Sequence, residues 1–257
     1  MSPSGARELG RAFLDAEVVR NYRYRQPYPP ETFEILEGLL VEPRTVLDVG
    51  SGTGALTIGL ARFAKGVDAI DPSAAMIREA RGMPDGDSDR IRWMLGTAET
   101  APLDPPYGLV TAGASIHWMD PDLVMPRFRD ALAPGGVLAI VNTESDYAKQ
   151  EWRDEFIRLV QAFSPIADHL EFADLVRSLE ASGRFARVGE RTAAPVPYEH
   201  SVDDYLAMLA STSSLSRATL GARADDFERE ARAIFARHDL TRIRAELVAE
   251  VVWGRPL

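Results

Sequence analysis

Val46-Leu47-Asp48-Val49-Gly50-Ser51-Gly52-Thr53-Gly54 is the stretch whose reading decides the fold. A short apolar and β-branched run ends in three glycines at alternate positions, and helical spacing begins near Thr53. This reads as a buried strand, a tight turn and the start of a helix, with glycines that let a ligand approach the backbone closely. The same alternation continues downstream. Runs at 45–49, 67–70, 91–95 and 109–112 predict four strands, and 137–141 a fifth behind the breaker Ala133-Pro134-Gly135-Gly136. Helices are expected near Thr53, Pro72 and Pro121, the last two with Asp71 and Asp120 as caps and proline at the first helical position. The resulting order, βαβαβαβαβ, predicts a mostly parallel α/β sheet whose ligand lies beyond the carboxyl ends of the strands.

Two later stretches, 145–183 and 200–244, are too long for plain connections and must carry structure of their own. Apolar spacing of three and four predicts helices over 152–163, 172–179, 203–209 and 225–237, with extended runs at 187–198 and 247–253. The expected organisation is an N-terminal arm and lid (1–43), a core (44–144), and helical cap insertions plus the last core strands (145–257).

Composition narrows the chemistry. The 257 residues carry 29 basic and 39 acidic side chains, a formal net charge of -10, which repels a polyanion and makes nucleic acid an unexpected partner. The chain has no cysteine, so disulfides, thiolate metal sites and cysteine nucleophiles are excluded. No run approaches the roughly 18 apolar residues of a membrane span, and residues 1–11 lack a signal-peptide core, so a cytoplasmic location is expected.

The glycine turn also fits a dinucleotide fingerprint, with Gly50, Gly52 and Ala55 in its three positions. A nicotinamide oxidoreductase is therefore the alternative to weigh. Asp48 argues against it, because a carboxylate two residues before Gly50 would face the place where a pyrophosphate must sit. A ligand with a cationic amino group and a sulfonium would be favoured by that same charge.

Asp48-Val49-Gly50-Ser51-Gly52-Thr53-Gly54 resembles motif I of the class I S-adenosylmethionine-dependent methyltransferases. Ile116-His117-Trp118 after the fourth strand, and the N-terminal Tyr22-Arg23-Tyr24-Arg25-Gln26-Pro27-Tyr28, are similar to the type 11 small-molecule branch. The resemblance covers residues 22–141 well and the later half in outline. It implies a Rossmann-like, mostly parallel seven-stranded sheet with helices on both faces and a helical cap.

It also implies a cofactor site. Asp48, Gly50, Ser51 and Gly52 would form the turn, and Asp71, with Pro72 and Met76 behind it, would meet the ribose. Asp71 can equally be a plain helix cap. Ala98 and Glu99 of Gly96-Thr97-Ala98-Glu99 would meet the adenine, Ala114 would lie beside the cofactor, and Tyr22 and Arg25 would close on the methionine carboxylate. A packed aromatic arm or a dimer contact is the other reading of that last pair. The reaction implied is methyl transfer to O, N or C of a small acceptor; a non-catalytic S-adenosylmethionine-binding module is the remaining alternative.

For a hydroxyl acceptor, His117 is the candidate general base by position and by its unperturbed pKa, or else a residue that orients substrate. Trp118, Tyr205 and Met208 are candidate substrate contacts, with helix packing as the competing role of the last two. His169, His200 and His238 lack metal-ligand spacing, so no metal is expected. Asp104-Pro105-Pro106-Tyr107 spells a motif that amino methyltransferases use, but it precedes the fourth strand and reads as a proline-rich turn. Monomer and homodimer both remain open.

Overall fold

The computed structural model describes residues 15–147, 150–164 and 171–257. In chain order the elements are α1 (Ala16–Asn21), α2 (Pro30–Leu39), β1 (Thr45–Val49), α3 (Ala55–Leu60), β2 (Gly66–Asp71), α4 (Ala74–Gly82), β3 (Ile91–Leu95) and β4 (Tyr107–Gly113). There follow α5 (Pro121–Ala131), β5 (Leu132–Asp146), α6 (Arg153–Phe163), α7 (Phe172–Ala181), β6 (Phe185–Thr192) and β7 (Val196–Ser201). The chain ends with α8 (Val202–Ala210), α9 (Arg217–Leu220), α10 (Ala224–Arg237) and β8 (Arg242–Pro256). Short 3-10 turns occupy Tyr22–Tyr24, Ile116–Trp118 and Gly221–Arg223.

The chain divides into two compact units. Among the described residues the sheet unit comprises 27–143, 171–194 and 248–257, and the helical unit comprises 15–26, 144–147, 150–164 and 195–247. This differs from the expected three segments. Part of the expected arm, α2, belongs to the sheet unit because its Ile35 and Leu36 are buried against β1 and β4 residues Val46 and Leu109.

In the sheet unit the strand order is β3-β2-β1-β4-β5-β8-β6, with β1 parallel to both β2 and β4. β3 and β5 extend the parallel set, and β6 pairs antiparallel with the later part of β8. The chain passes outward from β1 through β2 to β3, then returns to place β4 on the other side of β1. The crevice above β1 and β4 is thus a topological switch point, the place where ligands bind in open α/β sheets. Successive strand residues point to opposite faces. Leu47, Val110, Leu138 and Ile140 pack toward α5 and α7 residues Val124, Met125, Phe128 and Val176. Val46, Leu109 and Ala139 join α2 and α3 residues Ile35, Leu36, Leu56 and Leu60 on the other face. Burying a side chain such as Phe128 contributes about 2 kcal/mol, and these two layers hold the strand ends in register.

The helical unit has its own core, in which Trp152 and Phe156 of the α6 region, Tyr205 and Met208 of α8, and Phe227 and Phe235 of α10 pack together. β7 pairs antiparallel with Arg242–Leu247 of β8.

Three expectations are corrected. The 187–198 run is two strands, because Ala194-Pro195 interrupts it and proline has no N–H for the ladder, which adds an eighth strand to the seven expected. No helix joins β3 to β4, where Pro102, Pro105 and Pro106 remove three donors within five residues, so the strict βα alternation fails there. The cap of α4 is Ser73, whose hydroxyl accepts from the Met76 N–H at 3.3 Å, while Asp71 is left for another task. Asp120 does cap α5, accepting from the Asp122 N–H at 3.0 Å. Asp104-Pro105-Pro106-Tyr107 lies at the start of β4, opposite the end that faces the switch point.

Candidate active site

The glycine turn is strapped to the neighbouring strand before it reaches α3. The N–H groups of Gly50 and Ser51 both donate to the Ile70 carbonyl, at 2.8 and 3.0 Å. Gly50, Gly52 and Gly54 all adopt positive φ, at 67, 54 and 82°. At Gly50 a side chain is doubly excluded: a Cβ there would lie 2.5 Å from the Ser115 Cβ. The turn must therefore be bare for the loop after β4 to close on it.

Asp71 ends β2 beside the turn. One oxygen accepts from the Gly52 N–H and the other from the Ser73 N–H, each at 2.8 Å, and the residue is 7 % exposed. Burial raises its pKa, and those two N–H groups pull it back. Pro72 is exposed and Met76 is buried behind it. Each Asp71 oxygen keeps a further lone pair for a hydroxyl.

Asp48 is placed otherwise than expected. It is 1 % exposed, beneath the turn, accepting from Thr57 Oγ1 at 2.5 Å and from Thr111 Oγ1 at 2.7 Å. It does not face a bound ligand directly, so the case against a pyrophosphate shifts to Asp71. That carboxylate already holds the Gly52 N–H, a donor that a phosphate would need, and adds its own charge.

Burial pushes the Asp48 carboxyl from 3.8 up to about 6, against the two threonine hydrogen bonds and with help from the charge of Asp71. Because the native pKa lies above the unfolded one, the native state holds the proton more tightly. The stability that the neutral acid supplies is fully present below its unfolded pKa of 3.8 and is lost as pH rises through about 6. The loss is about 3 kcal/mol at 1.36 kcal/mol per unit. Asp48→Asn keeps the shape and cannot ionise. Its melting temperature should gain on that of the parent protein between about pH 4 and about pH 7.5; an offset independent of pH contradicts this.

The orphaned atom of the turn is Ser51 Oγ, buried and without a hydrogen-bond partner. A buried hydroxyl in that state calls for a polar partner, and here it sits between glycines that leave the backbone open. With Asp71 alongside, the turn suits a ligand that carries hydroxyls and a cationic amine, which fits the donor implied by the sequence resemblance.

In the turn after β3, Ala98 is 5 % exposed and its carbonyl accepts from Arg127 Nε at 3.1 Å. The Ala101 carbonyl accepts from the same guanidinium at 2.6 Å. Glu99 Oε1 accepts from the Asp120 N–H at 3.0 Å, which ties this turn to the start of α5. After β4, Ala114 is exposed in the left-handed region at φ 47°, and the 3-10 turn Ile116–Trp118 presents His117 and Trp118 with ring centroids 4.3 Å apart. Both rings are partly exposed. Gly113 lies under the Tyr28 hydroxyl, which would be 2.6 Å from a Cβ at that position.

The sheet unit thus gathers Asp48, Gly50, Ser51, Gly52, Asp71, Pro72, Met76, Ala98, Glu99, Ala114, His117 and Trp118 around the carboxyl ends of its strands. The remaining four candidates lie in the helical unit. Arg25 donates from Nε to Ser211 Oγ at 2.7 Å and from Nη2 to the Ser211 carbonyl at 3.0 Å, with its guanidinium 5.1 Å from the Tyr22 ring centroid. Tyr205 and Met208 are core residues, 4 and 5 % exposed, and packing accounts for both. Sequence reading passed over Thr57, Thr111 and Ser115. A hydroxyl inside the otherwise apolar 109–112 run was the available signal for Thr111. His169 lies outside the described residues. Among the described residues no cluster of His, Asp and Glu is arranged to hold a metal ion, and no helix is long and apolar enough to cross a membrane.

A family model described as a methyltransferase domain matches residues 46–136. An uncharacterized methyltransferase of Mycobacterium tuberculosis is 38% identical over 127 residues, covering 48% of this chain and 49% of that protein. The trans-aconitate 2-methyltransferase of Variovorax paradoxus is 37% identical over 145 residues, covering 54 and 53%. The chain spans about half the length of these curated relatives. A solved structure from Anaeromyxobacter dehalogenans, described as a type II methyltransferase, superposes with a TM-score of 0.67 at 25% identity, covering 90% of this chain and 97% of that one.

Proposed function

Because residues 46–136 form a class I methyltransferase domain, we propose that this protein transfers the methyl group of S-adenosylmethionine to O, N or C of a small-molecule acceptor. The observation that carries the cofactor assignment is the open glycine turn, with Asp71 fixed to the Gly52 N–H and the Ser51 hydroxyl left for a ligand. The donor supplies a sulfonium-activated methyl group.

The residues of the chain have separate tasks. Gly50, Ser51 and Gly52 give a bare backbone with the Ser51 hydroxyl left for a polar partner, and Asp71, backed by Pro72 and Met76, accepts from hydroxyls. Ala98 and Glu99, in the turn after β3, are the candidates to meet the base, and Ala114 to lie beside the cofactor. Asp48 adds negative potential beneath the turn, which favours a cation there. Methyl transfer is an in-line displacement that depends chiefly on positioning and exclusion of water. His117 takes the proton that an acceptor hydroxyl or amine loses, an assistance of roughly 10²- to 10⁴-fold, and Trp118 forms a wall beside it. Tyr22 and Arg25 are the candidates for the cofactor carboxylate, and Tyr205 and Met208 shape the helical unit. The acidic chain is proposed to act on small molecules in the cytoplasm, without nucleic acid, as a monomer or homodimer.

Incubation with methyl-labelled S-adenosylmethionine and a panel of small carboxylic acids, phenols and amines tests this reading. Label moving to a small acceptor, and slowed at least 100-fold in His117→Ala for a hydroxyl acceptor, is the expected result. Cofactor binding with no transfer to any acceptor would favour a non-catalytic binding module.

A further inference from the structure

The loop after β4 is held in a conformation that its own residues do not prefer. Ala114 has φ 47°, in a region that residues with a Cβ seldom enter, and such a residue persists only where neighbours over-determine it. Two hydrogen bonds do so here. The Ala114 N–H donates to the Val141 carbonyl of β5 at 2.8 Å, and Ser115 Oγ donates to the Val49 carbonyl of β1 at 2.7 Å.

Ser115 is 5 % exposed, and its Cβ fills the space that a side chain at Gly50 would need. Its own carbonyl accepts from the Trp118 N–H at 3.0 Å, which closes the turn carrying His117. One residue thus grips the strand end at the glycine turn with its side chain and founds the His117 turn with its backbone. All of these contacts lie within the sheet unit.

We propose that Ser115 is a positioning residue, an elbow that fixes the His117–Trp118 turn relative to the Gly50–Gly54 turn so that donor and proton acceptor keep one geometry. The inference rests on the methyltransferase reading above, and its test separates the two. The strain at Ala114 belongs to the same device, since the conformation that costs stability is the one that brings Ser115 onto the Val49 carbonyl.

Ser115→Ala and Ala114→Gly are compared with the parent protein by melting temperature, by calorimetry with S-adenosylhomocysteine, and by the His117 imidazole resonance of the ligand-free protein, assigned with His117→Ala. Ser115→Ala should weaken S-adenosylhomocysteine about fivefold or more and shift the His117 resonance. Ala114→Gly relieves the left-handed strain, so its melting temperature should hold or rise while affinity falls about threefold. Stability and binding moving in opposite directions is not the behaviour of a merely structural residue. Lowered melting with unchanged affinity and an unmoved His117 resonance in Ser115→Ala would overturn the elbow. Should Ser115→Ala fail to fold, an Ala114→Gly protein with parental affinity and His117 resonance overturns it. A parent protein that does not bind S-adenosylhomocysteine defeats the functional reading instead, and the ligand-free His117 resonance still decides the elbow.

Discussion

Gly50→Ala is expected to lower stability by roughly 3 kcal/mol and to abolish measurable binding of S-adenosylhomocysteine, because left-handed strain of about 1–2 kcal/mol adds to an overpacking cost of similar size. The new methyl group would lie 2.5 Å from the Ser115 Cβ and 3.0 Å from its Oγ, so the loop after β4 must retreat from β1. Gly135→Ala is the control. Gly135 also has positive φ, at 84°, but a Cβ there meets nothing within 4 Å. It should show only the backbone cost, about 1–2 kcal/mol. Urea denaturation of both variants, with calorimetry, separates the terms; equal destabilisation would show that contact with Ser115 contributes nothing.

Asp71→Ala carries the second large effect. It leaves the Gly52 and Ser73 N–H groups without acceptors in a buried place, and hydrogen bonds to a charged group contribute about 1.5–3 kcal/mol each. The desolvation that raises the Asp71 pKa offsets part of this, so a loss of about 2–4 kcal/mol is expected. Affinity for S-adenosylhomocysteine should fall at least tenfold, because the variant loses both the acceptor for hydroxyls and the strap on the turn. Asp71→Asn keeps one acceptor and should fall between the two. Unchanged affinity in Asp71→Ala would remove Asp71 from the site and leave it only a structural role.

What could be read in the sequence follows from the range of each interaction. The strands from 45 to 112 and the glycine turn are local patterns, and the structure reproduces them closely, as it does the helices beginning at Pro121, Phe172 and Ala224, whereas β5 extends over Leu132–Asp146, through the residues expected to act as a breaker. Local signals also existed where the reading fell short. Pro29-Pro30 followed by Ile35 and Leu36 at helical spacing marks α2, and the prolines after Ala101 rule out a β3–β4 helix.

The task of Asp48 was of another kind. Thr57 and Thr111 lie 9 and 63 residues away, and nothing around Asp48 announces that it will be enclosed by them. Ser115 reaches a carbonyl 66 residues off, and Arg25 a hydroxyl 186 residues off. Residue type and spacing marked the turns that follow β1, β2, β3 and β4, because motif residues cluster along the chain. The residues that hold those motifs together are set by tertiary pairing and appear only in the fold.

This glycine turn is proposed to take S-adenosylmethionine rather than a dinucleotide. Calorimetric titration of the protein with S-adenosylhomocysteine, beside NAD and NADP under identical conditions, tests it most directly. Binding of S-adenosylhomocysteine at micromolar concentration, with neither dinucleotide binding, is the expected result. Preference for NAD or NADP, or no binding of S-adenosylhomocysteine, would contradict it.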